Sequence, residues 1–391
     1  MSSFAIAFRL SAYTGALFLT LGSFLPFWPV FLESRGLTAA QIGVVLAVMS
    51  WARVIGVPLW GRIADPPGRG RPTLVLLALA SALFYGAFFF VEGYLPALVT
   101  HLLIGLVFGA LIPLGDSQIL QARRDAGPNA REIDYGRVRL WGSATFILGN
   151  LLGGWLIAEG DPNWYLASVV APLIATAAAA WSLPRRSAER GPYVRLPVRS
   201  LLRNQAYLVM VLVSCLLQAS HGAFYVVSAL AWRAAGYSDG AIAWLWIEGV
   251  VAEILLLAYG KHLQRRFSPV TLLAIGGTAA VVRWSLTAAS TDMGVLVIAQ
   301  SLHAFSFAIV HLASVTEIAR VVPPATLASA QSLLTAVHAG LFMSLSIALA
   351  GWLYDEQGAG AAFGAMAVLG LAGLAALFLL HRKLERPQAV P

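Results

Sequence analysis

The chain has 391 residues, 59% of them hydrophobic and only 11% charged, with a mean hydropathy of +0.77. That composition excludes the soluble globular class. The net charge of +8 lies mostly in short loops between apolar stretches, where it signals membrane topology and leaves no role in nucleic-acid binding.

Twelve apolar stretches long enough to cross a ~30 Å hydrocarbon core are expected at 8–32, 39–61, 72–91, 94–121, 138–159, 163–183, 206–232, 239–260, 270–288, 293–319, 327–354 and 358–381. The fold class is therefore an all-α membrane protein. The first stretch lacks a small-residue cleavage site and reads as a span rather than a removable signal peptide. Pro26 and Pro29 within it are expected to break the helix where it lines a cavity, with Phe27 and Trp28 facing substrate. Arg53 lies mid-span in the second stretch and Asp116 follows Pro113 in the fourth. Arg53 suits either a substrate carboxylate or a pairing with Asp116 or another acid. Asp116 itself suits a gate or a structural pair.

The longest polar stretch, Pro184 to Gln205, separates the sixth and seventh spans. It divides the chain into a six-helix bundle at 1–183, a basic linker at 184–205 and a second bundle at 206–391. Cys215, the single cysteine, lies mid-span and cannot form an intrachain disulfide. Loops after even-numbered spans hold most of the basic residues, among them Arg69, Arg71, Arg123, Arg137, Arg139, Lys261 and Arg265, while the opposite side offers Arg35 and Arg233. Both termini are thus expected in the cytoplasm.

In the seventh span Gln218, His221 and Tyr225 are spaced by three and four residues and share one helical face. Glu248 and Glu253 in the eighth lie about 140° apart around the helix, too far for one shared site. Arg283 belongs to the ninth span. His303 and His311 in the tenth, eight positions apart, also lie on a common face. Ionisable groups at membrane depth usually face a cavity, a partner or a transport path. A carboxyl group among apolar side chains readily carries a proton, and histidine titrates in the physiological range. Glu253, His303, His311 and Glu248 are therefore the proton-coupling candidates. Arg283, Arg53, His221, Gln218, Tyr225, Phe27 and Trp28 are the substrate-binding candidates, with Arg283 offering a fork of donors suited to a carboxylate. Asp65, Arg69 and Asp116 are the gating candidates. Glu317 and Arg320 read as a solvated pair at the cytoplasmic interface. The tryptophans outside the first span read as interfacial belt or packing.

Two segments repeat at an offset of about 200 residues: Gly36-Leu-Thr-Ala-Ala-Gln-Ile42 matches Gly236-Tyr-Ser-Asp-Gly-Ala-Ile242, and Gly61-Arg-Ile-Ala-Asp65 matches the basic Gly260-Lys-His turn. Parallel six-span repeats suit a transporter. Gly61-Arg-Ile-Ala-Asp65 with Gly68, Arg69 and Arg71 resembles the signature of the major facilitator superfamily, although Pro66 and Pro67 depart from it. Phe24-Leu-Pro-Phe-Trp-Pro-Val-Phe31, Asp134-Tyr-Gly-Arg-Val-Arg-Leu-Trp-Gly-Ser143, Leu217-Gln-Ala-Ser-His221, Gly249-Val-Val-Ala-Glu253 and Val282-Arg283-Trp284 resemble the phenylpropionate permease family. The resemblance implies a major facilitator fold of two pseudo-symmetric bundles. It also implies proton-driven uptake of a small aromatic acid; a monomer in the inner membrane is expected. The later spans also resemble the lactose–proton symporters, where a coupling glutamate follows the histidine by three positions. That position here is Ser306, which shifts the proton-carrying role toward Glu253 or another acid.

No phosphate-binding loop, serine elbow or His-Glu-x-x-His spacing occurs, so neither enzymatic activity, a cofactor nor a metal is expected. A symporter for neutral nucleosides or sugars, or a non-transporting receptor, is the alternative reading.

Overall fold

The computed structural model describes residues 2–64, 66, 68–125, 133–184, 198–323 and 327–384. Twelve helices among them are long and apolar enough to span a bilayer: Ser3–Ser34, Ala39–Ala64, Gly70–Phe89, Tyr94–Arg123, Tyr135–Ala158, Pro162–Ser182, Gln205–Val226, Asp239–Ala258, Pro269–Ala289, Met293–Val321, Leu333–Gln357 and Ala359–Phe378. They are called helices 1 to 12. Each overlaps an expected span, because hydrophobic length alone dictates where a chain can cross lipid with its backbone bonds satisfied. Asp65, and residues 185–197 of the expected linker, lie outside the described residues.

Local chemistry starts the helices. Asp134 accepts from the Arg137 amide at 2.8 Å, Asp161 from Asn163 at 2.8 Å and Asn204 from Tyr207 at 3.0 Å. These are N-caps for otherwise orphaned amides. The repeated segments adopt the same turn. Gly36 and Gly236 take φ of +83° and +92°, a conformation that favours glycine. Thr38 accepts from the Gln41 amide at 3.3 Å, and Ser238 accepts from Ala241 at 3.3 Å.

Contacts divide the chain into two compact units, Met1–Pro192 with Gly236–Trp244, and Tyr193–Ala235 with Leu245–Pro391. In the first unit helix 1 packs on helices 5 and 6, helix 2 on helix 4 and helix 3 on helix 6. In the second, helix 12 packs on helices 7 and 9. Close approach without a hydrophobic driving force requires small residues. A Cβ on Gly22 would strike the Phe146 carbonyl, and one on Gly149 the Leu19 carbonyl.

Three expectations need correction. Helix 1 runs unbroken from Ser3 to Ser34 through Pro26 and Pro29. The proline φ is itself helical, and neighbours brace the stretch: Ser23 Oγ donates to the Gly149 carbonyl at 3.0 Å and Tyr165 to the Ser23 carbonyl at 3.1 Å. The expected single helix at 206–232 is instead three pieces, Gln205–Ala219, Gly222–Val226 and Ser228–Ala234, with turns at His221 and Val227. Glu317 is not solvated: it is 0% exposed, with Arg320 donating to it at 2.9 Å, because its helix face packs inward.

Irregular backbone recurs elsewhere. Helix 4 is interrupted at Gly109–Ala110. Helices 10 and 11 contain π-helical turns at Ala304–Ile309 and Ala336–Phe342. Such turns within α-helices are frequent at functional sites.

Candidate functional site

The second unit gathers its polar side chains around Arg283, which helix 9 places at 0% exposure. The guanidinium makes three hydrogen bonds. It donates to His303 Nδ1 at 2.8 Å, to Gln300 Oε1 at 2.9 Å and to Ser306 Oγ at 3.3 Å. Its Cζ lies 4.2 Å from the Trp284 ring centroid and 4.9 Å from that of Phe224. No carboxylate pairs with Arg283 among the described residues. A buried ion without a countercharge retains an effective desolvation penalty on the order of several kcal/mol. Cation–π contacts and neutral acceptors offset part of it.

The bond to Arg283 fixes the histidine tautomer. A guanidinium only donates, so His303 Nδ1 accepts and the ring proton of the neutral imidazole sits on Nε2. That atom faces Glu253 Oε2 at 3.6 Å. Glu253, His303 and Arg283 therefore form a line in which the imidazole connects an acid to a cation. Glu253 and Arg283 do not pair directly.

The π-helical turn explains how one stretch of helix 10 serves this cluster. It begins immediately after His303 and contains Ser306, which meets both Arg283 and His221 Nε2, the latter at 3.3 Å. His221 sits at the break in helix 7, its Nδ1 directed at the Gln218 carbonyl at 3.1 Å, so Nδ1 donates and Nε2 accepts. The Gln218 side chain donates to the Phe307 carbonyl at 3.2 Å. The turn also absorbs one residue between His303 and His311, bringing their eight-residue separation close to two turns of about 3.6 residues. His303 is buried whereas His311 is exposed, yet His311 lies near enough for its charge to act on Glu253. His338, in the π-helical turn of helix 11, interacts with His311 and His221 in the same way.

Aromatic rings wall the cluster. Phe224 stacks on Trp246 at 4.0 Å, His303 on Phe307 at 5.1 Å, and His221 meets Trp284 edge-on at 5.2 Å. Tyr225 lies beside Phe224 and Trp246 at the half-buried margin. Glu248 accepts from Ser301 at 2.6 Å and makes no ion pair with Arg283 among the described residues, although it lies near enough for its charge to act on the guanidinium.

The first unit treats its candidates differently. Phe27 and Trp28 are fully buried. Trp28 donates to His101 Nε2 at 2.7 Å and is ringed by Phe24, Phe31, Tyr85, Phe88 and Tyr165. Phe27 packs against Gly153 and Gly154. Asp116 pairs with Arg139 at 3.6 Å rather than with Arg53. Arg69 is exposed ahead of helix 3. Arg53 is therefore not joined to the other candidates of its unit.

Gln300, Ser306, Phe224 and His338 complete the cluster without having been selected from sequence. Only Ser306 carried a signal, as the departure from the lactose–proton pattern. No group of three or more His, Cys, Asp or Glu side chains suited to a metal occurs among the described residues.

A family model described as "MFS_1 like family" matches residues 9–365. The chain is similar to a probable 3-phenylpropionic acid transporter of Escherichia coli, 35% identical over 96% of this chain and 95% of that one. It is also similar to a maltose permease of Geobacillus stearothermophilus, 26% identical over 94% and 92% of the two chains. A crystal structure of the nucleoside transporter NupG superposes with a TM-score of 0.82 at 15% identity, covering 98% of this chain and 100% of that one; at that identity it speaks for the fold alone.

Proposed function

Because the chain belongs to the MFS_1-like family of major facilitator transporters, we propose that it carries a small aromatic carboxylate, of the kind represented by 3-phenylpropionate, into the cell together with protons. The observation that carries this reading is Arg283: a fully buried cation with only neutral partners, set among aromatic rings. A carboxylate supplies the missing countercharge and two acceptor oxygens, and Phe224, Trp246 and Trp284 suit an aromatic body.

The coupling follows from the same bonds. Protonating His303 places hydrogen on both ring nitrogens, so Nδ1 can no longer accept from Arg283. The released N–H turns to the substrate carboxylate, while the imidazolium adds a second positive charge. The added proton sits on Nδ1, since Nε2 already carries one. Glu253 faces the Nε2–H, stabilises the imidazolium when ionised, and takes up and returns a proton of its own. Proton and anion thus favour each other's binding, and the coupling is reciprocal. His311 extends the proton path from Glu253, and His221 with Gln218 holds Ser306 and helix 10 in place. Glu248 is a reserve acid at the margin. Alternating access of a monomer in the inner membrane, with both termini cytoplasmic, completes the reading. Asp116 serves a structural pair within its unit, and Phe27 and Trp28 support helix 1.

The test is a thermal-unfolding screen of purified protein against 3-phenylpropionate, its neutral amide, nucleosides and maltose, since a ligand stabilises the state it binds. Stabilisation by the carboxylate but not the amide is expected. Stabilisation only by nucleosides or sugars would replace the carboxylate by a neutral substrate.

A further inference from the structure

The first unit holds its own unmatched cation. On helix 2 the residues facing outward are Trp51, Ile55 and Leu59, exposed by 51%, 52% and 47% and spaced by four. Arg53 lies about 200° from Trp51 around the helix. It continues the inward stripe of Leu46, Met49 and Gly56, so its side chain does not face lipid. The stem passes over Gly109 at the interruption of helix 4, where a Cβ would come within 2.6 Å of Arg53 Cγ. The guanidinium has no hydrogen bond or ion pair among the described residues, and its buried Nε lacks an acceptor. The carboxylate of Asp116 is held by Arg139.

Tyr85 is the second observation. Helix 3 buries it to 0% exposure, its ring is fixed by Phe24, Trp28 and Phe108, and its hydroxyl also lacks a partner. Both residues meet the same break in helix 4, Arg53 through Gly109 and Tyr85 through the adjoining Phe108, whose ring centroid lies 5.5 Å from its own, yet they do not hydrogen-bond to each other. Two buried donors without an acceptor at one helix break are unfavourable inside a membrane protein. Water would satisfy the hydrogen bonds but not the charge. A monoanionic oxygen acid satisfies both, and the surrounding rings suit an aromatic body rather than a strongly hydrated phosphate.

We propose that Arg53 and Tyr85 form a carboxylate-binding site in the first unit, which accepts the same class of aromatic acid as the Arg283 cluster. The inference rests on the reading of the chain as a carboxylate transporter. Arg53 supplies the charge and Nε–H, Tyr85 supplies O–H, and Gly109 leaves room for the arginine stem.

The test is calorimetric binding of 3-phenylpropionate and of its neutral amide to the full-length protein in nanodiscs. Wild type is compared with Arg53→Gln, Arg53→Lys, Tyr85→Phe and Arg283→Gln. Wild type is expected to show two carboxylate-binding events, and Arg53→Gln and Tyr85→Phe each weaken one of them about tenfold or more without weakening amide binding, with Arg53→Lys recovering part of the loss. Tyr85→Phe removes one oxygen from a packed ring, so it keeps the test readable where Arg53→Gln impairs folding. Two carboxylate-binding events of wild-type affinity in both variants overturn the site, as does an equal loss for acid and amide. Either result leaves the Arg283 reading standing if Arg283→Gln alone loses the acid. Loss in the Arg53 and Tyr85 variants with retention in Arg283→Gln supports this site and removes the Arg283 reading. A wild-type protein that binds no carboxylate contradicts both.

Discussion

Arg283 has exchanged its hydration for His303, Ser306, Gln300 and two aromatic faces, and none of these carries a negative charge while His303 is neutral. Two substitutions probe that imbalance. Ser306→Glu puts a carboxylate beside the guanidinium that now lies 3.3 Å from the serine oxygen. It should neutralise Arg283 internally and weaken 3-phenylpropionate binding by tenfold or more, about 1.4 kcal/mol per tenfold, as measured by calorimetry. Glu253→Gln removes the acid 3.6 Å from His303 Nε2 but leaves the anion site intact. The expected outcome in proteoliposomes is retained substrate exchange with loss of accumulation against a gradient. Undiminished accumulation would release Glu253 from proton coupling.

At the scale of the element, the decisive feature is the π-helical turn Ala304–Ile309. It is one residue wider than an α-turn, and it presents Ser306 to Arg283 and His221 together. Deleting Phe305, whose side chain is 40% exposed, should convert the turn to regular α-helix while the flanking helix keeps its register. Ser306 would then leave the cluster. The prediction is a protein of near-normal thermal stability and gel-filtration behaviour that no longer binds the carboxylate. Hydropathy marked the extent of helix 10 well, yet it could not reveal the turn, because apolar side chains occupy α and π geometry alike. The same limit hid the break at His221, where Gly222 is the only local cue. Pro26 and Pro29 misled in the opposite direction: proline chemistry predicts a lost amide bond, whereas Gly149 and Tyr165 from neighbouring helices brace the segment and keep it helical.

For the whole molecule, the twelve spans were legible because the bilayer imposes their length, and the repeat was legible because Gly36 and Gly236 occupy equivalent turns with the same backbone requirement. The charged members of the site were legible for an energetic reason, since few ionisable groups survive at membrane depth without a task. Gln300 and Tyr85 carry no charge and resemble ordinary packing residues until their partners across other helices are known. That is why the cation of each unit could be selected from sequence and its surroundings could not. The basic loops predict cytoplasmic termini, which a reporter enzyme fused to the C-terminus and active only in the cytoplasm checks directly. Activity only of a periplasmic reporter at that position would invert the orientation.

The proposed exchange is that of a histidine for an aromatic carboxylate at a buried guanidinium, set off by a proton. Its most direct measurement is uptake of radiolabelled 3-phenylpropionate into proteoliposomes under an imposed inward proton gradient, wild type against Arg283→Gln. Gradient-dependent accumulation that collapses with a protonophore is expected in the wild type and is absent in Arg283→Gln. Accumulation that ignores the proton gradient, or that persists undiminished in Arg283→Gln, would contradict it.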